Sequence, residues 1–518
     1  MTMENKENEN KVNNIKPEYQ VFLGPLQEES ELIKKIKDNY LFFILISIIF
    51  GGICTISFYK NQSGINALFF AITWIVCSVV AINKLGIKIS KISYLYMLGI
   101  IMFSISTMFT TSTFSIVLNG ASILLLITMM LQWNFYDTGN WQFGSFFIGT
   151  CNMISRTISH CLDPFTHFSF YREAKTKKES KLRYVMIGIS ISIPLVLVVL
   201  VLLISADSIF SSIFKNIFED INFVDIFGIS FVFCLGSIGF YAVLAGLSAK
   251  KDKNEVKDLR KGEPIIAITF TSILTVIYLV FCLIQIKYLF IGGANALPEG
   301  LTYSEYARKG FFQLVFVSII NLGLVLICIR IFKESKVLKV VLLAISACTY
   351  IMIASSAYRM IIYVGEYQLT FLRILVLWFL VLLTVLMTGI IYAIYNESFN
   401  FFRFSIISIL SFYLVFSFAK VDRIIAEYNV SHIDTLTSSD VLYMVQELSY
   451  DAAPVISRIH LSEVDMSDVS EMNAEENLRD MVNNYFETIE KDYDKRGIRG
   501  FNFSSFAADK AAQIIKGN

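Results

Sequence analysis

The sequence lacks the short motifs that mark most enzymes and nucleotide-binding proteins. It contains no phosphate-binding glycine loop, no HExxH motif, no GxSxG nucleophile elbow and no paired metal ligands at a recognised spacing. Each of these motifs arranges particular atoms around a phosphate, a metal or a carbonyl group. We therefore predict no catalytic residue, no cofactor and no metal, and a non-enzymatic protein is favoured.

Cysteine and histidine are also too few and too scattered to indicate a disulfide framework or a metal site. Six of the eight cysteines lie in apolar runs, where a thiol packs as a small hydrophobic group, and there is no CxxC pair. Only two of the four histidines, His160 and His167, are close in sequence. Their spacing from Cys151, Cys161 and Asp163 matches no metal-ligand pattern, so ordinary interfacial residues are expected.

Charge is scarce as well, and apolar residues take its place. The chain has 518 residues, of which 55% are hydrophobic, 14% aromatic and only 17% charged, with a mean hydropathy of +0.60. These values lie outside the range of soluble domains and predict an integral membrane protein. Few prolines and many Ile, Lys and Asn residues suggest a bacterial source. The start of the chain has no signal-peptide pattern, so the first apolar run is expected to stay as a membrane anchor.

The lengths of the apolar runs predict the fold class. Because a bilayer core needs about 20 apolar residues per helix, we predict an all-α, polytopic transmembrane bundle of about 11 spans with a small soluble helical C-terminal domain. The chain divides into a polar tail (1–39), four spans (40–133), a connection (134–183), seven spans (184–419) and the C-terminal domain (420–518). The predicted spans are 40–59, 66–83, 92–110, 113–133, 184–206, 223–247, 265–288, 311–332, 337–358, 372–395 and 401–419.

Basic residues crowd the N-terminal tail and every second connection. Since Lys and Arg near helix ends are retained in the cytoplasm, this asymmetry predicts a cytoplasmic N-terminus and a C-terminal domain outside the plasma membrane. The cytoplasmic connection 134–183 has an aromatic part, for which one or two interfacial helices are expected. Its basic run "REAKTKKESKLR" suits either an ordinary cytoplasmic loop or a site for anionic lipid or nucleotide.

The C-terminal domain, residues 420–518, is acidic, with ten basic and eighteen acidic side chains. We predict a helical hairpin near its start. Ser438 or Ser439 is expected to cap the first helix, because short hydroxyl side chains bond the free N–H groups there. Asp451 is expected to cap the second helix, with Pro454 in its first turn.

A long helix is predicted from Ala474 to Asp494, ending near Gly497, and a serine-capped helix should follow it. The acidic surface makes nucleic acid a poor partner. A protein of the cell envelope is the expected partner for this domain, besides the lipid bilayer that surrounds the spans.

Polar residues inside apolar runs are candidate site residues, because each needs a partner in a medium that offers none. Asn119, Gln285 and Asn321 either bond neighbouring helices or line a polar path for a substrate. Asp207, at the end of a span, either caps a following helix or acts as an ionisable gate.

Arg359, Glu366 and Arg373 follow one another at a spacing of seven residues. In one continuous helix they would share a face. Gly365 is expected to break the helix and to fold Glu366 back between the two arginines. Together with Arg308 they form an outer charged set, which suits either an interfacial anchor or a site for a headgroup or another ligand.

Five strings are similar to a bacterial membrane family: "LISADSIF", "YSEYARKGFFQL", "YRMIIYVGEYQLTFLR", "DRIIAEYNV" and "LSYDAAPVI". They resemble domain of unknown function 4173 or its sibling 4153, from about residue 180 to the C-terminus. The resemblance implies a helical membrane bundle with a helical C-terminal tail and no assigned reaction. Gln368 stands where the family carries a turn-forming glycine: this chain has "YQLT" and the family has "YGLT".

Three classes of function follow from these features. An envelope structural or signalling component that acts through protein partners is the first prediction. A transporter or lipid-handling protein with a polar intramembrane path is the second. The third is a membrane-embedded enzyme, for which the sequence offers no convincing nucleophile or base. A small-molecule ligand is not identified by the sequence.

Overall fold

A computed structural model gives the structure of this chain. It describes residues 30–136, 138, 139, 141–175, parts of 188–210, 223–249, 260–287, 310–396, 398–433, 435–466 and 474–517. About half of the predicted span 184–206 lies outside these residues. Arg308 and the side chain of Glu366 also lie outside them.

The described residues form helices and no strand, so the predicted polytopic all-α bundle is confirmed. Nine described helices, α2, α3, α5 and α8–α13, are long and apolar enough to cross a membrane, while α4 is apolar but shorter. The helices of the membrane part are α1 Glu31–Asp38, α2 Tyr40–Phe58, α3 Ile65–Leu85, α4 Lys91–Thr107, α5 Thr113–Phe135, α6 Phe143–Ser159, α7 Asp163–Lys175, α8 Phe223–Ala249, α9 Pro264–Gln285, α10 Phe311–Ile331, α11 Lys336–Tyr367, α12 Phe371–Tyr395 and α13 Phe401–Phe418.

The third predicted span is shorter than expected, because α4 ends at Thr107. The link to α5 therefore has five residues, 108–112, instead of two. The N–H groups of Met108 and Phe109 bond the carbonyls of Ile105 and Ser106, both at 2.9 Å, and this tight turn reverses the chain. The two helices can then pack side by side.

α11 continues to Tyr367, so the predicted helix break at Gly365 is wrong. A single glycine inside a helix costs only about 1 kcal/mol, which the packing of a 32-residue helix can offset. The break occurs at Gln368 instead, where φ is +72° and ψ is 176°. Only glycine adopts such a backbone conformation readily, and Gln368 occupies the position for which the family resemblance implies a glycine.

Buried apolar side chains form two clusters. The first core runs through α1–α5, α8, α13 and the C-terminal domain and includes Met130 and Ile489. The second core lies among α9–α12 and includes Leu342 and Met387. Val364, near the end of α11, belongs to the first core. The C-terminal domain is thus continuous with the first half of the bundle.

The C-terminal domain contains the helices α14 Val421–His432, α15 Ser438–Glu447, α16 Ala453–Ile456, α17 Ala474–Arg496 and α18 Phe503–Gly517. Thr437, rather than Ser438 or Ser439, caps α15, because Asp440 completes a reciprocal capping box with it. Gly497, with φ +61°, follows α17 as predicted.

The second part of the predicted hairpin differs in its cap. Ser449 Oγ accepts the N–H of Asp451 at 3.4 Å and begins a short 3₁₀ turn, so Asp451 is not the cap. Pro454 lies in the first turn of α16, as expected. Ser449 is the cap in place of Asp451, because the Asp451 carboxylate accepts hydrogen bonds from the membrane bundle instead.

Helix α1 and the C-terminal domain lie at opposite ends of the bundle. Lys35 of α1 donates to the carbonyl of Leu85, the last residue of α3, at 2.9 Å. Ile65, the first residue of α3, donates its N–H to Phe501 of the domain at 2.9 Å. A helix of 21 residues is about 30 Å long and separates the two contacts.

Candidate functional site

Asn119, near the start of α5, joins three helices through its side-chain amide. Its Oδ1 accepts hydrogen bonds from Tyr413 at 3.0 Å and from Ser417 at 2.7 Å, both on α13. Its Nδ2 donates to Thr107 Oγ1 of α4 at 3.2 Å. Asn119 is fully buried, and bonds of this kind accommodate a polar group in an apolar medium.

Asn321 of α10 has the same arrangement in the second core. Its Oδ1 accepts a hydrogen bond from Tyr278 of α9 at 2.9 Å, and its Nδ2 donates to Thr349 of α11 at 3.0 Å. It is also fully buried. An asparagine bonded to a tyrosine and a threonine on two other helices therefore occurs in both cores.

Gln285 and Arg359 are brought together by the structure. Gln285 Oε1, at the end of α9, accepts hydrogen bonds from Ser355 at 2.7 Å and from Arg359 Nη2 at 3.1 Å, both on α11. Gln285 and Arg359 are buried. This pair is separate from Asn119, which belongs to the first core.

Arg373 does not lie on one helical face with Arg359, because the segment between them is not one continuous helix. It occupies the first turn of α12, where its guanidinium group donates to the carbonyls of Tyr367 and Gln368 at the end of α11. It also stacks on Tyr363, 4.3 Å from the ring centroid. A cation is favoured at the carbonyl end of a helix. The chain turns between the two arginines, and Arg373 stabilises that turn.

Asp207 makes the contacts of a helix N-cap. Its Oδ1 accepts the backbone N–H groups of Ile209 at 2.7 Å and Phe210 at 3.2 Å. Helix capping is thus the one of its two predicted roles that these contacts match.

The strongest polar contacts that the sequence did not predict join the C-terminal domain to the α4–α5 link. The buried carboxylate of Asp451 accepts hydrogen bonds from Thr110 Oγ1 at 2.7 Å and from Thr111 N and Oγ1, both at 2.8 Å. Hydrogen bonds to an ionised group are about twice as strong as neutral ones. Asp451 therefore fixes the domain to the end of two membrane helices.

Asn502 adds a second contact to the same link. Its Nδ2 donates to the carbonyls of Thr107 at 3.0 Å and Thr110 at 2.9 Å. Its Oδ1 accepts the N–H groups of Ser504 and Ser505, at 2.9 and 3.1 Å, and so caps α18. The predicted serine cap is replaced by an asparagine that both begins the helix and docks it.

The α2–α3 link is the second docking point. Arg496 donates to the carbonyl of Ser63 at 3.1 Å, next to the bond between Ile65 and Phe501. Gly64 lies so close to the domain that a Cβ atom there would be 2.4 Å from the Phe501 carbonyl oxygen. The absence of a side chain at this position permits the contact.

The α11–α12 link is the third docking point. Asn429 of α14 accepts the N–H of Leu369 at 2.9 Å and donates to its carbonyl at 3.0 Å. Gln368 Nε2 donates to Asp440 Oδ1 at 2.6 Å. Three links at one end of the bundle thus bind the same domain.

A cavity of about 670 Å³ remains open between the domain and two of these links. Its walls include Thr111, Phe114 and Phe371 from the bundle and Asp422, Glu447 and Tyr450 from the domain. Volumes of this order are typical of small-molecule sites.

Asp422 is the buried acid of this cavity. Its carboxylate accepts the N–H of Ser449 at 3.2 Å. Burial raises the pKa of Asp422, and the charge of Asp451 adds to the rise, while hydrogen bonds from Ser449 and Ser112 oppose it. Burial also raises the pKa of Tyr450, to about 12, and its bond to Asp492 contributes.

The sequence model of a family described as Domain of unknown function (DUF4153) matches residues 97–459. The chain belongs to this family. The match is to the second of the two family names that the quoted strings suggested. No curated protein and no solved structure matches the chain.

The family match includes the junction carboxylates Asp422 and Asp451. They lie in two of the strings that carry the resemblance, "DRIIAEYNV" and "LSYDAAPVI". Those strings were therefore a signal for the site, although they did not show what the carboxylates contact. Among the described residues of this family member, no group of three or more His, Cys, Asp or Glu residues could hold a metal ion.

Proposed function

We propose that this member of the family is a structural or signalling component of the bacterial envelope, inserted in the plasma membrane. Its C-terminal domain receives a protein partner, and the docked links pass the effect of that contact to the membrane helices. The observation that carries the proposal is the buried carboxylate of Asp451, bonded three times to the link between two membrane helices.

Two of the three docking points, at the α4–α5 link and at the α11–α12 link, support transmission because each of them is costly to break. Asp451, Asn502 and Asn429 all pair buried polar groups across the junction. Leaving such a group unpaired costs about 1–3 kcal/mol. A force on the domain is therefore transmitted to α4, α5, α11 and α12 before the domain detaches.

The distribution of charge supports the orientation in this proposal. Lys84, Lys88, Lys333 and Lys336 lie in or next to links at the α1 end of the bundle, away from the domain. Positive residues near helix ends favour the cytoplasmic side. This asymmetry supports an orientation with α1 in the cytoplasm and the domain outside.

The partner is expected to present a basic or mixed surface, because the domain is acidic. Glu475, Glu476 and Glu487 are exposed on α17, the longest helix of the domain. Complementary charge raises the association rate and excludes partners of like charge.

A transporter or lipid-handling protein is the second candidate, and the buried Arg359 beside Gln285 favours it. An ionisable residue within a membrane bundle is often functional. Asn119 and Asn321 give this candidate less support, because their amides bond neighbouring helices.

The docking contact can be tested in a host strain from which the gene has been deleted. Asp451→Ala should insert at the normal level, expose the domain to an added protease and fail to reverse the envelope defect of that strain. Glu463→Ala, which changes an exposed acid of the domain outside α17, is the matched control and should restore the strain fully. Full restoration by an Asp451→Ala chain whose domain is released would contradict the proposal.

A further inference from the structure

The cavity at the junction is bounded by both parts of the molecule. Thr111, Phe114 and Phe371 belong to ends of membrane helices or their links, whereas Asp422 and Glu447 belong to the domain. Its volume of about 670 Å³ lies within the range of about 300–1,000 Å³ found for small-molecule sites. A molecule bound there would touch the bundle and the domain together.

The chemistry of the walls is selective. Two carboxylates, Asp422 and Glu447, line the cavity with the aromatic rings of Phe114, Phe371 and Tyr450. The described residues that line it include neither Lys nor Arg. Carboxylates attract a cation, and the faces of aromatic rings add to that attraction when the cation is partly removed from water.

Hydrogen bonds within and beside the walls hold two carboxylates in place. Thr111 lines the cavity, but its N–H and hydroxyl groups already bond Asp451. Asp422 likewise accepts the N–H of Ser449. Asp451 and Asp422 are thus held in place before any ligand enters. Glu447, in contrast, is exposed and free to approach a ligand.

We propose that this cavity binds an organic cation, an ammonium group carried on a small apolar body. The ammonium group lies between Asp422 and Glu447, and the apolar body lies against Phe114 and Phe371. This inference goes beyond the proposed function, because the ligand site is distinct from the acidic surface offered to a protein partner.

The electrostatics of Asp422 agree with a cationic ligand. Burial raises the pKa of this carboxyl group, which means that its charged form is poorly compensated in the free protein. A nearby cation would stabilise the charged form. Because both walls touch the ligand, a bound cation would also hold the domain more firmly to the bundle.

The test uses the purified full chain in a nonionic detergent. The probes are choline and hexylammonium, each beside an uncharged isostere in which carbon replaces the ammonium nitrogen. At least one cation should bind saturably in titration calorimetry and raise the thermal unfolding midpoint, and its isostere should do neither. Equal binding of the cations and their isosteres, or no binding of either cation, overturns the proposal.

Two variants locate the site. Glu447 is exposed, so Glu447→Gln should fold normally and weaken cation binding by about tenfold, as expected for the loss of one partly desolvated charge contact. Glu463→Gln changes an exposed acid of the domain that does not line the cavity, and its affinity should be unchanged. Asp422→Asn gives an independent second measurement. Wild-type affinity in both Glu447→Gln and Asp422→Asn would place the cation elsewhere and reject the site.

Discussion

Asn119 in the first core and Asn321 in the second each hold three helices together through one tyrosine and one threonine. The two clusters differ in what surrounds them. Asn119 accepts a further bond from Ser417, and the carbonyl of its partner Thr107 accepts a bond from Asn502 of the C-terminal domain. The described bonds of Asn321 stay within α9, α10 and α11.

This difference shows that the same polar arrangement serves two purposes. In the second core it fixes the packing of membrane helices. In the first core it also lies directly beneath the docking point of the domain, so the position of α4 and the position of the domain depend on each other. The first core is therefore the part of the bundle through which a signal from the domain would pass.

Replacing the two asparagines tests most directly whether the two polar clusters differ. Hydrogen bonds between membrane helices contribute about 0.6 kcal/mol each on average, so Asn119→Leu, which loses three, should cost about 2 kcal/mol and Asn321→Leu, which loses two, about 1 kcal/mol. Chemical unfolding of the full chain in detergent micelles measures both losses. Val117→Leu, on the exposed face of α5, is the control and should change stability little.

Protease sensitivity of the C-terminal domain gives a second measurement that distinguishes the two clusters. Asn119→Leu should make the C-terminal domain easier to cleave under native conditions, whereas Asn321→Leu should not. If both variants lost the same stability and the same protection, the two cores would be equivalent and the comparison would be wrong.

Gln368 joins the end of the second-core helix α11 to the domain, and its backbone is strained. Gln368→Gly and Gln368→Ala both remove the side-chain bond to Asp440, but only glycine accepts φ +72° without strain. The glycine variant should therefore be more stable than the alanine variant by about 1 kcal/mol. Unfolding curves of the two proteins give this difference directly, and an alanine variant of equal or higher stability would show that the turn is not strained.

The smallest expected effect concerns Asp422. Its pKa is raised by burial, so the folded state keeps the proton to higher pH than the unfolded state, and stability decreases as pH rises through the folded pKa. Asp422→Asn removes this loss and should raise the unfolding midpoint by about 2 °C at pH 8. The two proteins should converge below about pH 3, where the carboxyl group is protonated in both states.

Thermal unfolding followed from about pH 3 to pH 8 tests this linkage. Glu463→Gln, an exposed acid, should show no such divergence from the wild type. A difference for Asp422→Asn that did not change with pH would mean that the effect is packing rather than ionisation.

The sequence predicted what the local composition determines. Membrane helices follow from runs of about 20 apolar residues, and these runs located α2–α5 and α8–α13. Gly497 and Pro454 act through their own backbone conformations, so the end of α17 and the first turn of α16 were also predictable.

The errors arose where distant residues decide the local structure. Gly365 did not break α11, because the turn is fixed three residues later by Arg373 and by Asn429 of the domain. Asp451 was predicted to cap a helix, but its partners Thr110 and Thr111 lie about 340 residues earlier in the chain. No local pattern contains a contact of that separation.

That separation also sets an order of events during synthesis. Thr111 leaves the ribosome about 340 residues before Asp451, which at about 5–20 residues per second is a delay of about 20 to 70 seconds. During this time α4 and α5 can enter the membrane, but the N–H and hydroxyl groups of their link have only water as a partner. The first core is thus the last part of the described structure to be completed, although it contains the first of the described helices to be made.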